Sequence, residues 1–336
     1  MNLVIMRWVL ISLVLVLTAC QKSDSPSSKK TIAVIPKGTT HVFWKSIQAG
    51  AYKAGNELDV HIDWIGPEKE DDRQQQISLV DNQVLNQVSG ILLAPIDDMA
   101  LRRPVQSAVD AGIPVIIIDS GLRDADKLYT SFIATNNYRG GELAAIELAR
   151  ILGGKGRVIL LRFVEGSAST EERAQGFLDK INSYSEIEVV SAEQYGGATQ
   201  AQAQQVAENL LLRFSGPSGQ MLIDGIFCCN ESTTYGMLQT LRRKRQTGQI
   251  KFIGFDSSPP LLEGLQNKEL QGLVVQNPFK MGYLGIKTMM QHLRGEPVEK
   301  EIDTGVTLVT NENLGDAEIM EILFPDIEKW LRIGTD

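Results

Sequence analysis

Cysteine and histidine are scarce in this 336-residue chain, with three of each. Cys228 and Cys229 are adjacent within an apolar run. Neighbouring residues on a strand point to opposite faces, so a bridge between them would be strained, and the pair reads as buried free thiols. This usage excludes a disulfide framework and a CxxC metal site. His41, His61 and His292 are widely separated, and none belongs to an HExxH motif. Catalytic signatures are missing too. Ser167 and Ser169 lie in GSAS rather than in a GxSxG elbow. Gly153-Gly154-Lys155-Gly156 follows a helical stretch, lacks GxxxxGK[ST] spacing, and reads as a helix C-cap and turn. No catalytic residue, metal site or cofactor is assigned, and the chain reads as a non-enzyme. Basic charge is also short, with Lys+Arg 33 against Asp+Glu 41 and a net charge of -8. Such a surface repels a phosphate backbone, so nucleic acid is excluded as a partner.

Apolar runs long enough to approach a membrane are limited to Trp8–Ala19, preceded by Arg7. That length suits a signal-peptide core and falls short of the roughly 20 residues of a membrane-spanning helix. The run ends Leu17-Thr18-Ala19-Cys20, which resembles the lipobox of bacterial lipoproteins, where the cysteine is acylated and becomes the new N-terminus. The resemblance implies that residues 1–19 are a removed signal peptide and that Cys20 carries the lipid. Gln21 to Lys30 (QKSDSPSSKK) has the composition of a flexible tether, completing a segment 20–30. The expected location is the cell envelope, periplasmic or extracytoplasmic, with the chain held to a membrane by its lipid.

From Thr31 onward the chain has an ordinary globular balance, 43% hydrophobic and 22% charged, and a length that favours two domains. Short β-branched runs recur at 31–35, 60–65, 90–95, 114–119 and 131–135, and again at 157–163, 187–192, 224–230, 251–256 and 272–277. Stretches such as 42–58, 74–88, 137–152, 198–213 and 279–293 place apolar residues three and four apart, as helices packed on a sheet do. Near-continuous runs such as VIIID and ILLAP imply strands buried on both faces, hence parallel sheets flanked by helices. The pattern predicts an α/β protein with two doubly wound parallel-sheet lobes.

In open α/β sheets, ligands bind beyond the carboxyl ends of the strands. This chain repeatedly places a polar residue there: Lys37, Asp119, Asn230, Asp256 and Gln276. One such residue alone is equally well a helix N-cap or a turn residue; five together point to a site. Carboxylate, amide and guanidinium groups are planar and bidentate, which suits paired hydroxyls such as those of sugars. Phe43 and Trp44 offer flat faces to a sugar ring, and since neighbours diverge by about 100° around a helix, one of the two is expected in the core.

TIAVIPKGTTHVFWKSIQAGAYKA, GILLAPIDD, AGIPVIIIDSG, TNNYRGGELAA, GSASTEERAQGF, DGIFCCNESTTYG and IGFDSSP together resemble the periplasmic sugar-binding proteins of ABC importers, of the ribose-binding-protein-like type. The resemblance runs over about residues 31–312. It implies the type I periplasmic-binding-protein fold, two lobes joined by a three-crossover hinge and closing on a monosaccharide or related polyol or sugar acid. It implies a monomer that hands its ligand to an ABC permease; a receptor feeding a sensor kinase or chemoreceptor is the alternative. Lobe one would comprise 31–134 plus 277–306 and lobe two 135–276 plus 307–320. A helical tail, 321–336, would pack back onto a lobe or touch the membrane. Carried over by position, the ligand contacts are Lys37, His41, Phe43, Trp44 and Asp119 on the first lobe. On the second they are Arg173, Asn230, Asp256 and Gln276, with Thr135 and Asn137 near the first crossover. Three positions depart from the family: Lys37 replaces a small polar residue, His41 an asparagine and Ser120 an arginine. These departures shift the first lobe toward a cation and leave a sugar acid or other polyol-like ligand open.

Overall fold

The computed structural model describes residues 29–333; the leader, Cys20 and most of the tether read from the sequence lie outside them. Two six-stranded sheets carry the chain. The first contains β1 (Thr31–Ile35), β2 (His61–Trp64), β3 (Gly90–Leu93), β4 (Val115–Ile118), β5 (Ser131–Ala134) and β11 (Glu301–Asp303), in the order β2-β1-β3-β4-β5-β11. The second contains β6 (Lys155–Arg162), β7 (Glu186–Tyr195), β8 (Gly225–Cys228), β9 (Lys251–Phe255), β10 (Gly272–Gln276) and β12 (Val306–Val309), in the order β7-β6-β8-β9-β10-β12. The two orders are equivalent, so one doubly wound unit is built twice. Neighbouring strands run parallel apart from β10 and β12.

Burial explains the layering. Ile32 and Val34 of β1 join one core cluster while Ala33 and Ile35 join another, because successive side chains of a strand leave by opposite faces. On the first sheet, α1 (Val42–Leu58) and α9 (Pro278–Leu293) cover one face, and α2 (Arg73–Leu85) and α3 (Arg102–Asp110) the other. On the second, α4 (Asn137–Ile151) and α5 (Ala168–Ile181) lie opposite α6 (Gln200–Arg213), α7 (Glu231–Lys244) and α8 (Pro259–Gln266). Cys228 and Cys229 are buried and unpaired.

The chain changes sheet at three places, around 135–136, 277 and 304–305. The first and third are tied together: the Thr135 hydroxyl lies 3.4 Å from that of Thr304 and donates to the Gly305 carbonyl at 3.3 Å. The tail crosses once more. In α10 (Ala317–Leu323), Ile319 is buried with Leu261 and Leu265 of the second lobe. After Pro325, α11 (Ile327–Ile333) lies along α1 of the first, where Lys53 Nζ sits 5.9 Å from the Trp330 ring.

Each lobe depends on a reciprocal glycine contact. A Cβ at Gly50 of α1 would collide with the Phe279 carbonyl, and one at Gly282 of α9 with the Ile47 carbonyl. Gly141 of α4 and Gly176 of α5 meet the Arg173 and Tyr138 carbonyls in the same way. Gly141→Ala should therefore push α4 from α5 and destabilise the protein by about 1–3 kcal/mol. The thermal unfolding midpoint should drop, whereas Gly315→Ala, where a Cβ meets nothing within 4 Å, should leave it unchanged.

Candidate ligand-binding cleft

The carboxyl ends of the two sheets face each other across a cleft of about 710 Å³. Its deepest groups are arranged alike in both lobes. Asp119 follows β4 and Asp256 follows β9, and both adopt left-handed backbone, with φ of 63° and 66°. In each case the amide is tied to the next strand, Asp119 N–H donating to the Ile133 carbonyl and Asp256 N–H to that of Val274. Aspartate is among the few residues that tolerate this conformation, and it turns the carboxylate off the strand axis into the cleft.

Each carboxylate has a cation beside it. Lys37, just after β1, places Nζ 2.7 Å from Asp119 Oδ2, with both side chains 4% exposed. Arg173 of α5 lies 3.9 Å from Asp256 Oδ2 and is held from three other sides. Its Nε donates to Asn137 Oδ1 at 2.8 Å, its Nη1 donates to the Cys229 carbonyl at 3.1 Å, and its guanidinium stacks 3.9 Å from the Phe255 ring centroid. Gln276 Nε2 donates to Asp256 Oδ1 at 2.6 Å. Burial pushes the Asp256 carboxyl above its ordinary value, against the pull of Arg173 and Gln276.

Contacts that bridge the lobes include Arg73 Nη2 donating to the Glu165 carbonyl at 2.9 Å, the Asp98 amide donating to that of Gly166 at 3.0 Å, and three shorter than 3.2 Å within the cleft. Lys37 Nζ donates to Ser169 Oγ at 3.1 Å, and the Ser169 amide donates to Ser120 Oγ at 3.1 Å. Ser120 thus has a role of its own where the family resemblance led us to expect arginine. The third contact joins His41 Nε2 to Glu231 Oε2 at 2.6 Å. His41 caps α1, its Nδ1 accepting from the Phe43 amide at 3.2 Å. Glu231 sits in the first turn of α7, where the helix dipole favours a negative charge, and also accepts from Gln200 and Ser258. Burial lowers the His41 pKa, but hydrogen bonding and attraction to Glu231 outweigh it and push the value up to about 9. Burial likewise acts to raise Glu231, and the His41 contact overrides it, leaving the carboxyl below its ordinary value. Proton uptake at Nδ1 exchanges the Phe43 cap for a stronger ion pair across the cleft.

Of the residues named from the sequence, Lys37, His41, Phe43, Trp44, Asp119, Arg173, Asn230, Asp256 and Gln276 line the cleft. Thr135 and Asn137 do not. Thr135 binds the third crossover, and Asn137, 1% exposed, stands behind Arg173 and positions it. Asn230 serves two purposes, since its side-chain oxygen caps α7 by accepting from the Thr233 amide and its Nδ2 donates to Ser232 Oγ. Phe43 and Trp44 meet edge to face at 4.9 Å, both against the cleft, although Trp44 is only 2% exposed. Glu70, Phe163, Ser169, Glu231 and Tyr235 also line it and were not identified from the sequence. Glu231 directly follows Asn230 and was within reach of the same argument; Glu70 lies in a loop with no periodicity to mark it.

The geometry of two facing lobes has known counterparts. A family model described as a periplasmic binding protein domain matches residues 32–297. The chain belongs to the periplasmic binding proteins. The ribose import binding protein RbsB of Bacillus subtilis is 28% identical over 305 residues, 88% of this chain and 95% of its own. The D-allose-binding periplasmic protein of Escherichia coli is 27% identical, over 80% of this chain and 86% of its own. Among solved structures, an ABC transporter solute-binding protein of Agrobacterium vitis with bound D-fucose is 36% identical, with a TM-score of 0.83 over 88% of this chain and all of that one. A carbohydrate transporter solute-binding protein of Agrobacterium radiobacter with D-arabinose is 34% identical, with the same TM-score over 89% of this chain and all of that one. The first is named as an import binding protein, the second as a periplasmic sugar-binding protein, and both solved structures as transporter solute-binding proteins.

The bridging pair makes this periplasmic binding protein sensitive to pH. His41 binds its proton more tightly folded than unfolded, so its stabilisation is complete below about pH 6.5 and fades as the pH rises through about 9. Glu231, shifted the other way, loses its contribution as the pH falls below the ordinary carboxylate range. Thermal unfolding midpoints measured from pH 6.5 to 9 should decline more in the wild type than in His41→Gln.

Proposed function

We propose that the cleft binds a monosaccharide or a related polyol, that the two lobes close on it, and that the closed form delivers it to an ABC permease. The arrangement that carries this reading is the pair of inward-turned aspartates, Asp119 and Asp256, each beside a cation and facing its counterpart from the other lobe. Carboxylates accept from adjacent hydroxyls, Arg173 and Asn230 supply donors, and Phe43 and Trp44 present ring edges and faces. D-fucose and D-arabinose in the solved relatives support the choice of ligand class. In this reading lobe one is 31–134 with 277–306 and lobe two is 135–276 with 307–320, and the protein works as a monomer. Contacts made only when both lobes touch the ligand bias the equilibrium toward the closed form, which is what a permease would recognise.

We further propose that residues 1–19 are removed and that lipid on Cys20 holds the protein at the outer side of a membrane, supported by the Leu17-Thr18-Ala19-Cys20 run. In that case Cys20→Ser should shift the protein from the membrane fraction to the soluble fraction of the cell envelope.

Calorimetric titration with aldopentoses, aldohexoses and deoxy sugars should give saturable one-to-one binding and recover the sugar unchanged. Asp119→Asn and Asp256→Asn should each weaken the best ligand by about 10- to 100-fold, the loss expected for one hydrogen bond to a charged group. A wild-type protein that ignores the whole panel would overturn the reading.

A further inference from the structure

The charges of the cleft are unevenly satisfied. Lys37 meets Asp119 at 2.7 Å, His41 meets Glu231 at 2.6 Å, and Arg173 is enclosed by Asp256, Asn137 and the Cys229 carbonyl. The remaining cation, Lys69, lies exposed at the rim beside exposed Glu68. Each inner cation therefore already faces a carboxylate of the protein.

Glu70 is the carboxylate left over. Its Oε1 accepts from Trp44 Nε1 at 2.8 Å, and among the described residues no group donates to Oε2 and no cation pairs with it. Gly38 makes room for it, since a Cβ there would stand 2.9 Å from Glu70 Cγ. Burial pushes its carboxyl above the ordinary value, with His41 and Trp44 opposing. A second acceptor is also unmatched. Gln276, 4% exposed, gives its amide nitrogen to Asp256, and its Oε1 is buried with no donor among the described residues. The amide orientation is fixed by the carboxylate, which requires the nitrogen.

Both of these groups are acceptors. A closed site penalises acceptors that find no donor, and a second anion beside Glu70 would have no spare inner cation to meet it. We propose that Glu70 sets the charge class of the ligand: it takes a hydroxyl donor from an uncharged sugar and rejects sugar acids and sugar phosphates. This rests on the monosaccharide reading above, and of the ligands that Lys37 left open it sets aside the sugar acid, because Asp119 already occupies that lysine.

The test is calorimetric titration of the wild type and Glu70→Gln with D-fucose, D-arabinose, D-galactose and D-glucose, and with D-galacturonate and D-glucuronate. The wild type should prefer its best neutral sugar to the uronates by 100-fold or more. Glu70→Gln should bind that sugar about 10-fold more weakly and show a narrower preference over the uronates. Its ligand-free unfolding midpoint should stay level or rise, since an unpaired partly buried charge has gone; this separates loss of a ligand contact from loss of fold. Unchanged affinity and preference in Glu70→Gln, or a wild type that prefers a uronate, would overturn the role of Glu70 while leaving sugar binding intact. A wild type that binds none of these sugars would overturn the monosaccharide reading and this inference together.

Discussion

Two aspartates in left-handed backbone, one at the end of the fourth strand of each lobe, set the geometry on which the site depends. That conformation costs an ordinary residue about 1–2 kcal/mol, and aspartate is among the few side chains that visit it. In return the strand stops abruptly, the amide still reaches its neighbour's carbonyl, and the carboxylate turns into the space between the sheets. Because the two sheets share one strand order, this device occurs twice and faces itself. Lys37 and Arg173 answer the resulting concentration of negative charge, and their positions follow from it.

The contacts that bridge the lobes are few and polar, unlike the apolar clusters inside each lobe. Lys37 with Ser169, Ser120 with the Ser169 amide, and His41 with Glu231 are hydrogen bonds that water can replace when the lobes part. Net contributions of such bonds are on the order of 1 kcal/mol each, somewhat more where a charge takes part. In the proposed reading, in which the lobes close on a ligand, bonds of that size would let a small ligand that adds a few contacts favour the closed form. An apolar interlobe seam would have kept the cleft shut regardless of the ligand. The tail is the exception, since α10 buries Ile319 in one lobe and α11 lies on α1 of the other.

Much of the fold was legible because its strands are buried on both faces, and a run such as VIII or GIFC has few other uses. The polar tips were legible for the same reason: Asp119, Asn230, Asp256 and Gln276 stand out where an apolar run breaks. What escaped the sequence has no run to break. β11 and β12 have three and four residues with partly exposed faces, so no apolar pattern marks them. Glu70 lies in a loop, where nothing local distinguishes a carboxylate that enters the cleft from one that meets solvent, as its neighbour Glu68 does. Thr135 and Asn137 follow a strand end as the true lining residues do. Thr135 turns to the third crossover and Asn137 to Arg173 behind the cleft wall, and chain order does not record those turns.

Lys37 shows how a partner distant in the chain changes what a single residue means for the electrostatics. Read singly, a lysine at a strand tip adds positive charge to the cleft and invites an anion. Its nearest partner is 82 positions away in the chain, and the two meet because β1 and β4 flank β3 in the same sheet. With that contact formed, the lysine serves as a brace, neutralising Asp119 while its remaining protons reach Ser169 across the cleft. A larger arginine at position 120 would crowd the place where the Ser120 hydroxyl accepts from the Ser169 amide. Both residues meet Ser169 of the other lobe, Lys37 through its Nζ and Ser120 through its hydroxyl.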